Sequence, residues 1–278
     1  MQKVVLITGC SDGSAGAALA RQFQLRGCHV FAAARKLEKM QRLADLGICT
    51  LAMDVLSKEQ INAAVDIVRD AAGGKLDVLI NNAAGFNLMT LADQNLEDAR
   101  AMFDVNVFGL LAVTQAFLPL LVAAGGNAVI ANVSSISVVA EPAFQGIYAA
   151  TKAAVFTMSG VMRKEFSPFG VKVVTIMSGG VNTNFMENKP WKVPKESWYF
   201  ELAGDVEGKK STDGTGSMKP DEYAKRVVGD LLCSNPGPVI FRGKFATAVW
   251  ILTWLGWYGM LDSTEIKNTK LDILRPRS

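Results

Sequence analysis

The sequence is poor in the residues on which many enzymes depend, since His29 is the only histidine among 278 residues. Histidine-based catalytic triads, histidine-rich zinc sites and histidine general bases need residues that this chain lacks. The cysteines show no CxxC spacing, so neither a zinc site nor a redox motif is indicated. Most hydrolase and metalloenzyme classes are therefore excluded, and no metal is expected. The four cysteines, expected to be reduced core residues of an intracellular protein, are Cys10, Cys28, Cys49 and Cys233.

The sequence also lacks a strong excess of charge of one sign, because 29 basic residues stand against 26 acidic ones and leave a net charge of +3. The basic residues form no stripe that would follow a phosphate backbone, so nucleic acid is not an expected partner. The N-terminal MQKVVLITG passes directly into a strand-like run, and no signal segment is expected. The default expectation is a cytoplasmic protein.

What the sequence does contain is an alternation of short Val- and Ile-rich runs with helical patterns. Continuously apolar runs are typical of parallel strands covered on both faces, and the intervening segments are long enough for crossover helices. Residues 1–278 are therefore predicted to form a single Rossmann-type α/β domain, a doubly wound seven-stranded parallel sheet with helices on both faces. The predicted strands span residues 4–7, 28–33, 50–53, 78–80, 128–133, 171–176 and 239–241.

Two features depart from a plain α/β alternation: a pair of long helical patterns and an aperiodic segment. The helical patterns at 98–124 and 147–168 are long, and such helices also serve as contacts between copies, so a homodimer or homotetramer is expected. Residues 184–219 lose periodicity and combine prolines and aromatic residues with a glycine-containing polar stretch. This segment fits a lid over a substrate site, or else an ordinary surface excursion.

The C-terminal extension, residues 245–278, begins with an uncharged stretch. Residues 245–261, FATAVWILTWLGWYGML, hold three of the five tryptophans. The stretch is shorter than the roughly 20 residues of a membrane-spanning helix. It leaves three alternatives: a buried C-terminal helix, a contact between copies, or a peripheral contact with a membrane or lipid droplet. We favour the first two over the third.

The segment TGCSDGSAG after the first predicted strand has the features of a nucleotide-binding turn. Glycines at a strand-to-helix turn let the backbone approach a pyrophosphate, and the following helix N-terminus supplies free N–H groups. A Gly-rich segment alone is often only a turn. The predicted cofactor contacts here are Gly9, Ser11, Asp12, Gly13, Ser14 and Gly16.

The residues after the next strands indicate which nucleotide is bound. No carboxylate follows the second strand, where one would bond a free ribose 2′-hydroxyl, and Arg35 stands there instead. A guanidinium suits a 2′-phosphate, which predicts NADP(H), although Arg35 could also simply begin a solvated helix. Strand-end residues at the same sheet edge, which are further cofactor candidates or else simple turn residues, are Asp54, Val55, Asn82, Ala83 and Gly85.

Four polar residues form a candidate catalytic set. Tyr148 and Lys152 are four residues apart, so they share one face of a helix, and a nearby positive charge lowers the pKa of a phenol. Tyr148 is thus a candidate general acid, the role that histidine often takes. Ser135 follows the fifth strand, where its hydroxyl would bond a carbonyl oxygen. Asn106 is an amide in an apolar helix, and it would bond backbone at a kink or hold a water molecule.

These motifs, in this order and spacing, closely resemble those of the short-chain dehydrogenase/reductase family over about residues 3–183. The resemblance implies hydride transfer between NADP(H) and a carbonyl or alcohol. By this resemblance Tyr148 protonates the carbonyl oxygen, and Ser135 orients it. Lys152 lowers the Tyr148 pKa and, like Tyr148, contacts the cofactor at its nicotinamide ribose, while Asn106 holds a proton-relay water.

Within the family, the sequence is most similar to fungal members resembling 1-acyldihydroxyacetone phosphate reductase. The segment SGGVNT, at 178–183, is similar to their TGGVxT segment, which replaces the family's usual PGxVxT, and it adds Gly179, Val181 and Thr183 as predicted cofactor contacts. Ser14 and Ala15 depart from the Gly and Ile common in the loop of these members. A side chain is therefore expected near the pyrophosphate path, where it either weakens cofactor binding or adds a phosphate hydrogen bond.

The function predicted from these observations is NADPH-dependent reduction of a lipophilic ketone or aldehyde, such as a lipid, polyketide or terpenoid intermediate. The aromatic lid and the apolar C-terminus favour a hydrophobic substrate. Two alternatives stay open. One is a non-redox isomerase or cyclase on the same scaffold, and the other is an NADP(H)-sensing protein that binds a membrane or a partner.

Overall fold

The central sheet has the seven parallel strands that the sequence predicts, with ends that differ by no more than two residues. The computed structural model describes residues 2–187, 192–203, 216–257 and 259–274. The strands are β1 (Val4–Thr8), β2 (His29–Ala34), β3 (Cys49–Ala52), β4 (Val78–Asn81), β5 (Val129–Ser135), β6 (Lys172–Ser178) and β7 (Val239–Arg242). Their order is β3-β2-β1-β4-β5-β6-β7, so the connections change direction between β1 and β4. The predicted Rossmann-type fold is confirmed.

Helices cover both faces of this sheet. They are α1 (Ala15–Leu25), α2 (Gln41–Asp45), α3 (Lys58–Ala71), α4 (Leu96–Phe103), α5 (Leu110–Ala123), α6 (Ser137–Ala140), α7 (Gly146–Glu165), α8 (Pro220–Leu231), α9 (Ala246–Leu255) and α10 (Asp262–Asn268). One core cluster joins α1 and α8 to one face, and a second joins α3, α5 and α7 to the other. The central strands β1, β4 and β5 are therefore buried on both sides, which explains their apolar sequences.

The predicted helix at 98–124 is continuous but contains a wider turn. Residues Asp104–Gly109 between α4 and α5 form a π-helical turn. The whole run, Leu96–Ala123, is long and apolar enough to cross a membrane. Its side chains Val113, Phe117 and Leu121 are fully buried against the sheet, so it is a core helix of this domain.

A buried ladder of polar side chains ties the strands to the helices behind them. Asn81 at the end of β4 donates from Nδ2 to Thr114 Oγ1 on α5 (2.9 Å) and to Asn132 Oδ1 on β5 (2.8 Å). Asn132 Nδ2 in turn donates to Ser159 Oγ on α7 at 2.9 Å. Buried amides need such partners, so this amide ladder fixes α5 and α7 on the sheet.

Two expectations about burial are wrong. Cys49 and Cys233 are exposed thiols and do not belong to the core, because Cys49 lies on the edge strand β3 and Cys233 follows α8. The uncharged C-terminal stretch is not a buried helix either. Within α9 only Ala246 and Val249 are buried, whereas Trp254 is 75% exposed. The predicted lid segment at 184–219 is described only at 184–187, 192–203 and 216–219, and its remaining residues lie outside the described part.

Candidate active site

The glycine-rich turn connects β1 to α1 at the carboxyl edge of the sheet. Gly9 and Gly13 have φ values of 73° and 79°, which favour glycine. A Cβ on Gly16 would stand 2.5 Å from Gly9 O, so that position has no room for a side chain. The backbone N–H groups of Ala15 and Gly16 open α1 and have no acceptor among the residues that the structure describes. A free helix N-terminus of this kind fits a pyrophosphate.

Ser14 does not obstruct this turn. Its hydroxyl accepts a hydrogen bond from Ala17 N at 3.1 Å and donates one to Gly9 O at 3.0 Å, so Ser14 is the N-cap of α1. Ala15 packs against the core. The hydroxyl hydrogen of Ser14 is directed at Gly9 O within the turn, and the effect of this side chain on cofactor binding stays a prediction.

Neighbouring segments hold the turn in place. Thr8 Oγ1 accepts hydrogen bonds from the backbone N–H groups of Asn82 (3.0 Å) and Ala83 (2.9 Å). Asn82 Nδ2 donates to Thr8 O at 2.8 Å and to Gly9 O at 3.1 Å. Asp12 O accepts from Asn184 Nδ2 at 3.0 Å. Asn82 and Ala83 thus position the nucleotide turn from β4, and the start of the lid segment contacts its other side.

Arg35 is exposed directly after β2, at the same sheet edge. Asp54 and Val55, which follow β3, make their contacts within the protein. Asp54 Oδ1 accepts from Leu56 N at 3.0 Å, which closes a local turn. Val55 is buried, and a Cβ on Gly109 would stand 2.7 Å from Val55 Cγ2. Arg35 makes no hydrogen bond or ion pair with the residues that the structure describes, so its guanidinium is available to an anion.

Asn106 lies inside the π-helical turn and is 1% exposed. Its Oδ1 accepts from Gly85 N at 2.6 Å, while its Nδ2 donates to Gly85 O at 3.0 Å and to Thr151 Oγ1 at 2.9 Å. The side chain thus bonds backbone at a distorted helix turn, which was one of the two alternatives. Both amide hydrogens are used, so a relay water would have to donate to Oδ1.

Ser135, Tyr148 and Lys152 meet beside the nucleotide turn. Ser135 is the last residue of β5, and Tyr148 and Lys152 lie on successive turns of α7. Lys152 Nζ donates to Val133 O at 2.8 Å and stands 5.7 Å from the centroid of the Tyr148 ring. Ser135 Oγ also accepts from Ser137 N at 3.1 Å. The sheet and α7 therefore bring the predicted catalytic residues to one edge.

Burial determines the protonation states of Tyr148 and Lys152. Burial raises the pKa of Tyr148 to about 12, and a hydrogen bond with Ser135 lowers it only in part. Burial lowers the pKa of Lys152 to about 8. The expectation that Lys152 holds the Tyr148 pKa below its ordinary value does not hold for the protein alone, because loss of hydration dominates. At neutral pH Tyr148 is a protonated donor, and Lys152 is largely cationic.

The residues after β6 form the far wall of the cleft. Gly179 N donates to Arg242 O at 2.8 Å, and a Cβ on Gly179 would overlap Lys244 O. Val181 pairs with Met218 in a short bridge. Thr183 Oγ1 accepts from Phe185 N at 3.4 Å, at the start of the lid segment. These contacts place the SGGVNT segment beside Ser135, since Ser178 pairs with Ser135 in the sheet.

Sequence inspection missed the aromatic side chains around Tyr148. The Phe86 ring meets the Tyr148 ring edge-on at 4.9 Å between centroids, and Phe185 lies 5.6 Å from Phe86 and 6.2 Å from Tyr148. Phe86 directly follows the NNAAG motif, which was the available signal. Phe185 falls in the aperiodic lid segment, where no pattern indicates its neighbours. The mouth of the site is therefore apolar.

The fold, the nucleotide turn and the Ser135, Tyr148 and Lys152 group define an oxidoreductase scaffold, and comparison with known proteins gives the family. The family model described as short chain dehydrogenase matches residues 3–193. The chain belongs to the short-chain dehydrogenase/reductase family, whose members use NAD(P)(H).

Fungal relatives are similar over most of the chain. A short-chain dehydrogenase from Penicillium crustosum is 40% identical over 257 residues, covering 90% of this chain and 92% of the relative. The NADPH-dependent 1-acyldihydroxyacetone phosphate reductase of Schizosaccharomyces pombe is 38% identical over 205 residues, covering 72% of this chain and 68% of the relative. The predicted family resemblance is confirmed.

Solved structures agree on the fold. A short-chain dehydrogenase from Streptomyces avermitilis superposes with a TM-score of 0.79 at 27% identity, over 98% of this chain and 96% of that one. A short chain dehydrogenase from Burkholderia cenocepacia, solved in complex with NADP, has a TM-score of 0.68 at 24% identity, over 99% of this chain and all of that one. The latter likeness concerns the fold alone.

Proposed function

We propose that this protein is an NADPH-dependent carbonyl reductase that acts on a lipophilic ketone or aldehyde. The observation that carries the proposal is that Ser135, Tyr148 and Lys152 lie at the same sheet edge as a glycine turn, whose following helix begins with N–H groups that have no acceptor among the described residues. The exposed Arg35 and the NADPH-dependent relative from Schizosaccharomyces pombe support the choice of NADPH.

The proposed cofactor contacts follow the carboxyl edge of the sheet. The N–H groups at the start of α1 hold the pyrophosphate, and Arg35 pairs with the 2′-phosphate through its planar guanidinium. Lys152 and Tyr148 contact the ribose next to the nicotinamide. When bound, the reduced nicotinamide supplies the hydride.

The protein's own side chains donate the proton and orient the substrate. Tyr148, protonated at neutral pH, donates its proton to the carbonyl oxygen, and Ser135 donates a hydrogen bond that orients the same oxygen. The Lys152 ammonium stabilises the phenolate that remains on Tyr148. Asn106 fixes the end of β4 to α7 and offers Oδ1 to a relay water. Phe86 and Phe185 surround Tyr148 with apolar surface, which favours a lipophilic carbonyl compound over a sugar.

Cofactor choice is tested by replacing Arg35. We expect Arg35→Ala to weaken NADPH binding by about tenfold or more, since a charge-assisted bidentate contact is lost, and to leave NADH binding unchanged. Calorimetric titration with both nucleotides measures this. Lys36→Ala is the matched control, because Lys36 is an adjacent exposed cation that pairs with Glu38 at 3.9 Å.

Three results would contradict the proposal. Tighter binding of NADH than of NADPH by the unaltered protein would overturn the role of Arg35. A product with the mass of the substrate, in place of a gain of two hydrogens, would favour the isomerase or cyclase alternative. A nucleotide-binding protein without turnover would favour the sensing alternative.

We also propose that α9 rests on a lipid surface. Trp254, Leu255 and Trp257 are exposed by 75%, 78% and 71%, and residues 245–261 carry no charge. Exposed tryptophans in an uncharged segment suit a membrane interface, and the net charge of +3 on the chain favours anionic headgroups. The helix packs on α6, and Glu265 of α10 accepts a hydrogen bond from Ala143 N at 3.0 Å. The exposed surface therefore borders the loop between Ser135 and Tyr148, where a lipophilic substrate would enter.

Vesicle binding tests this surface. We expect the protein to sediment with vesicles of phosphatidylcholine and phosphatidylserine, and the double variant Trp254→Ser, Trp257→Ser to lose at least about tenfold in partitioning. Trp198→Ser is the matched control, because Trp198 is 71% exposed outside α9. Absence of sedimentation would contradict the proposal. A dimer that the double variant converts to monomer would identify a second copy of the chain as the occupant.

A further inference from the structure

The described middle part of the lid segment, residues 192–203, is anchored at both ends, and we call it the strap. Val193 near its start and Leu202 near its end are buried, and so is Ser197 between them. The neighbouring Trp198 is exposed, so the strap lies on the surface of the protein and is held there by buried side chains. Segments that move as lids have few buried contacts, so these anchors indicate a fixed segment.

A carboxylate beside the strap binds its central serine. Asp93 Oδ2 accepts hydrogen bonds from Ser197 Oγ at 2.6 Å and from Thr90 Oγ1 at 2.7 Å, and both hydroxyl residues are buried. These lengths are typical of hydroxyl bonds to an ionised carboxylate, which are about twice as strong as bonds between neutral groups. Asp93 therefore joins the strap to the loop between β4 and α4 across 104 residues of sequence.

The two hydroxyl groups of this cluster use both their hydrogen and their oxygen. Ser197 Oγ donates to Asp93 and accepts from Tyr199 N at 3.0 Å, and Thr90 Oγ1 donates to Asp93 and accepts from Asp93 N at 3.1 Å. Because a hydroxyl has one hydrogen to donate, the directions of these bonds are fixed. The cluster therefore holds the backbone of the strap at Tyr199 as well as the side chain of Ser197.

The loop that bonds the strap also contacts the candidate proton donor. Phe86 meets the Tyr148 ring at 4.9 Å between centroids, and three residues later Met89 N donates to Phe144 O at 2.9 Å. Tyr199 of the strap contacts the ring of the same Phe144, with centroids 6.5 Å apart. The strap is thus connected to the surroundings of Tyr148 through both the loop before α4 and the loop before α7.

We propose that Asp93 fixes the strap as a rigid wall of the site, and that this wall limits the width of the carbonyl compound that reaches Tyr148. The width limit depends on the proposed function, whereas the anchoring of the strap does not. Asp93 is a positioning residue, because its side chain bonds Ser197 and Thr90 and acts on the substrate only through the strap. A rigid wall rejects a wide substrate by steric clash and leaves a narrow one unaffected.

Hydrogen exchange tests the anchoring in the protein without cofactor or substrate. Several backbone N–H groups of the strap donate within it, so a peptide covering 192–203 should exchange slowly in the unaltered protein, as measured by mass spectrometry. We expect Asp93→Ala to accelerate this exchange by at least about tenfold, because two charge-assisted bonds are lost. Asp93→Asn keeps an acceptor oxygen and should stay within about threefold of the unaltered protein.

The matched control for the exchange experiment is Asp66→Ala. Asp66 is an exposed carboxylate on α3 that pairs with Arg69 at 2.8 Å, remote in sequence from the strap. We expect its removal to leave the exchange of the strap unchanged.

Two lipophilic ketones test the width limit, the linear 2-decanone and the wider benzophenone. We expect Asp93→Ala to raise the ratio of kcat/KM for benzophenone to kcat/KM for 2-decanone by about three- to tenfold. The gain should appear as a lower KM for benzophenone, because Asp93 touches no reacting group. Asp93→Asn should restore the ratio of the unaltered protein. A parallel loss of activity with both ketones would overturn the width limit and indicate a purely structural role.

The remaining outcomes separate the anchoring from the proposed function. Fast exchange of the strap in the unaltered protein would overturn the anchoring and identify residues 192–203 as a mobile lid. Equal exchange in the unaltered protein and Asp93→Ala would overturn the role of Asp93. If Asp93→Ala fails to fold, Ser197→Ala decides, since it removes the hydroxyl donor. Reduction of neither ketone, with strap exchange that Asp93→Ala still accelerates, would refute the proposed function and support the anchoring.

Discussion

Tyr148→Phe is expected to lower the turnover of an accepted ketone by about 100- to 10,000-fold, the usual contribution of a positioned general acid. The ring keeps its edge-on contact with Phe86, and only the hydroxyl is lost. NADPH affinity should therefore fall by no more than about tenfold, since only one contact with the ribose is lost, and the free energy of unfolding should change little. Steady-state rates, nucleotide titration and thermal unfolding measure the three quantities.

The specificity of this effect is checked with a second tyrosine. Tyr199, in the lid segment, contacts Phe144 with ring centroids 6.5 Å apart, and Tyr199→Phe should retain turnover within a few fold. If Tyr148→Phe reduced the ketone as fast as the unaltered protein, Tyr148 would not be the proton donor. Equal losses in the two variants would point to a general effect of hydroxyl removal near the substrate.

Lys152→Met is expected to affect turnover and stability in opposite directions. Turnover should fall by at least about 100-fold, since the positive charge next to the Tyr148 phenolate is lost. At pH 7 the variant should be more stable by about 1–3 kcal/mol, because replacing a buried charge by an apolar side chain of similar length removes a desolvation penalty. The lost hydrogen bond to Val133 O limits this gain.

The pH dependence of that stability difference distinguishes a buried lysine from an exposed one. Burial lowers the Lys152 pKa from 10.5 to about 8, so between these values the unfolded chain binds a proton that the folded protein does not. The free energy of unfolding of the unaltered protein therefore rises with pH across this window, and the advantage of Lys152→Met should shrink there. Lys164→Met, at an exposed position of the same helix, should leave both turnover and this pH dependence unchanged. A Lys152→Met protein that is less stable at pH 7 would contradict the argument.

The fold was predictable because its signals are local. The central parallel strands are covered on both faces and are therefore apolar runs, and each crossover needs a helix of sufficient length. The nucleotide turn and the pair formed by Tyr148 and Lys152 are contiguous in sequence for the same reason. Their meeting at one edge follows from the topology of a parallel sheet, in which all strands end on the same side.

The remaining features depend on contacts between distant segments. Phe185 touches Tyr148 because the chain after β6 turns back over the site, and no periodic pattern predicts that turn. Asp93 reaches Ser197 across 104 residues. The exposure of α9 could not be predicted either. An apolar segment buried in the core and an apolar segment exposed for contact with another surface have the same composition. The raised Tyr148 pKa of the protein without cofactor could not be predicted, because the sequence gives charges but not burial.

The amide ladder of Asn81, Asn132 and Ser159 also sets the rotational phase of α7. If that helix advanced by one residue, it would rotate by about 100° about its own axis, and Ser159 would leave Asn132. The same rotation would turn Lys152 away from Val133 O. A slipped arrangement would thus lose two buried hydrogen bonds at once, costing on the order of 2–6 kcal/mol. The amide ladder therefore stabilises, during folding, the one rotation of α7 about its axis that directs Tyr148 at the substrate.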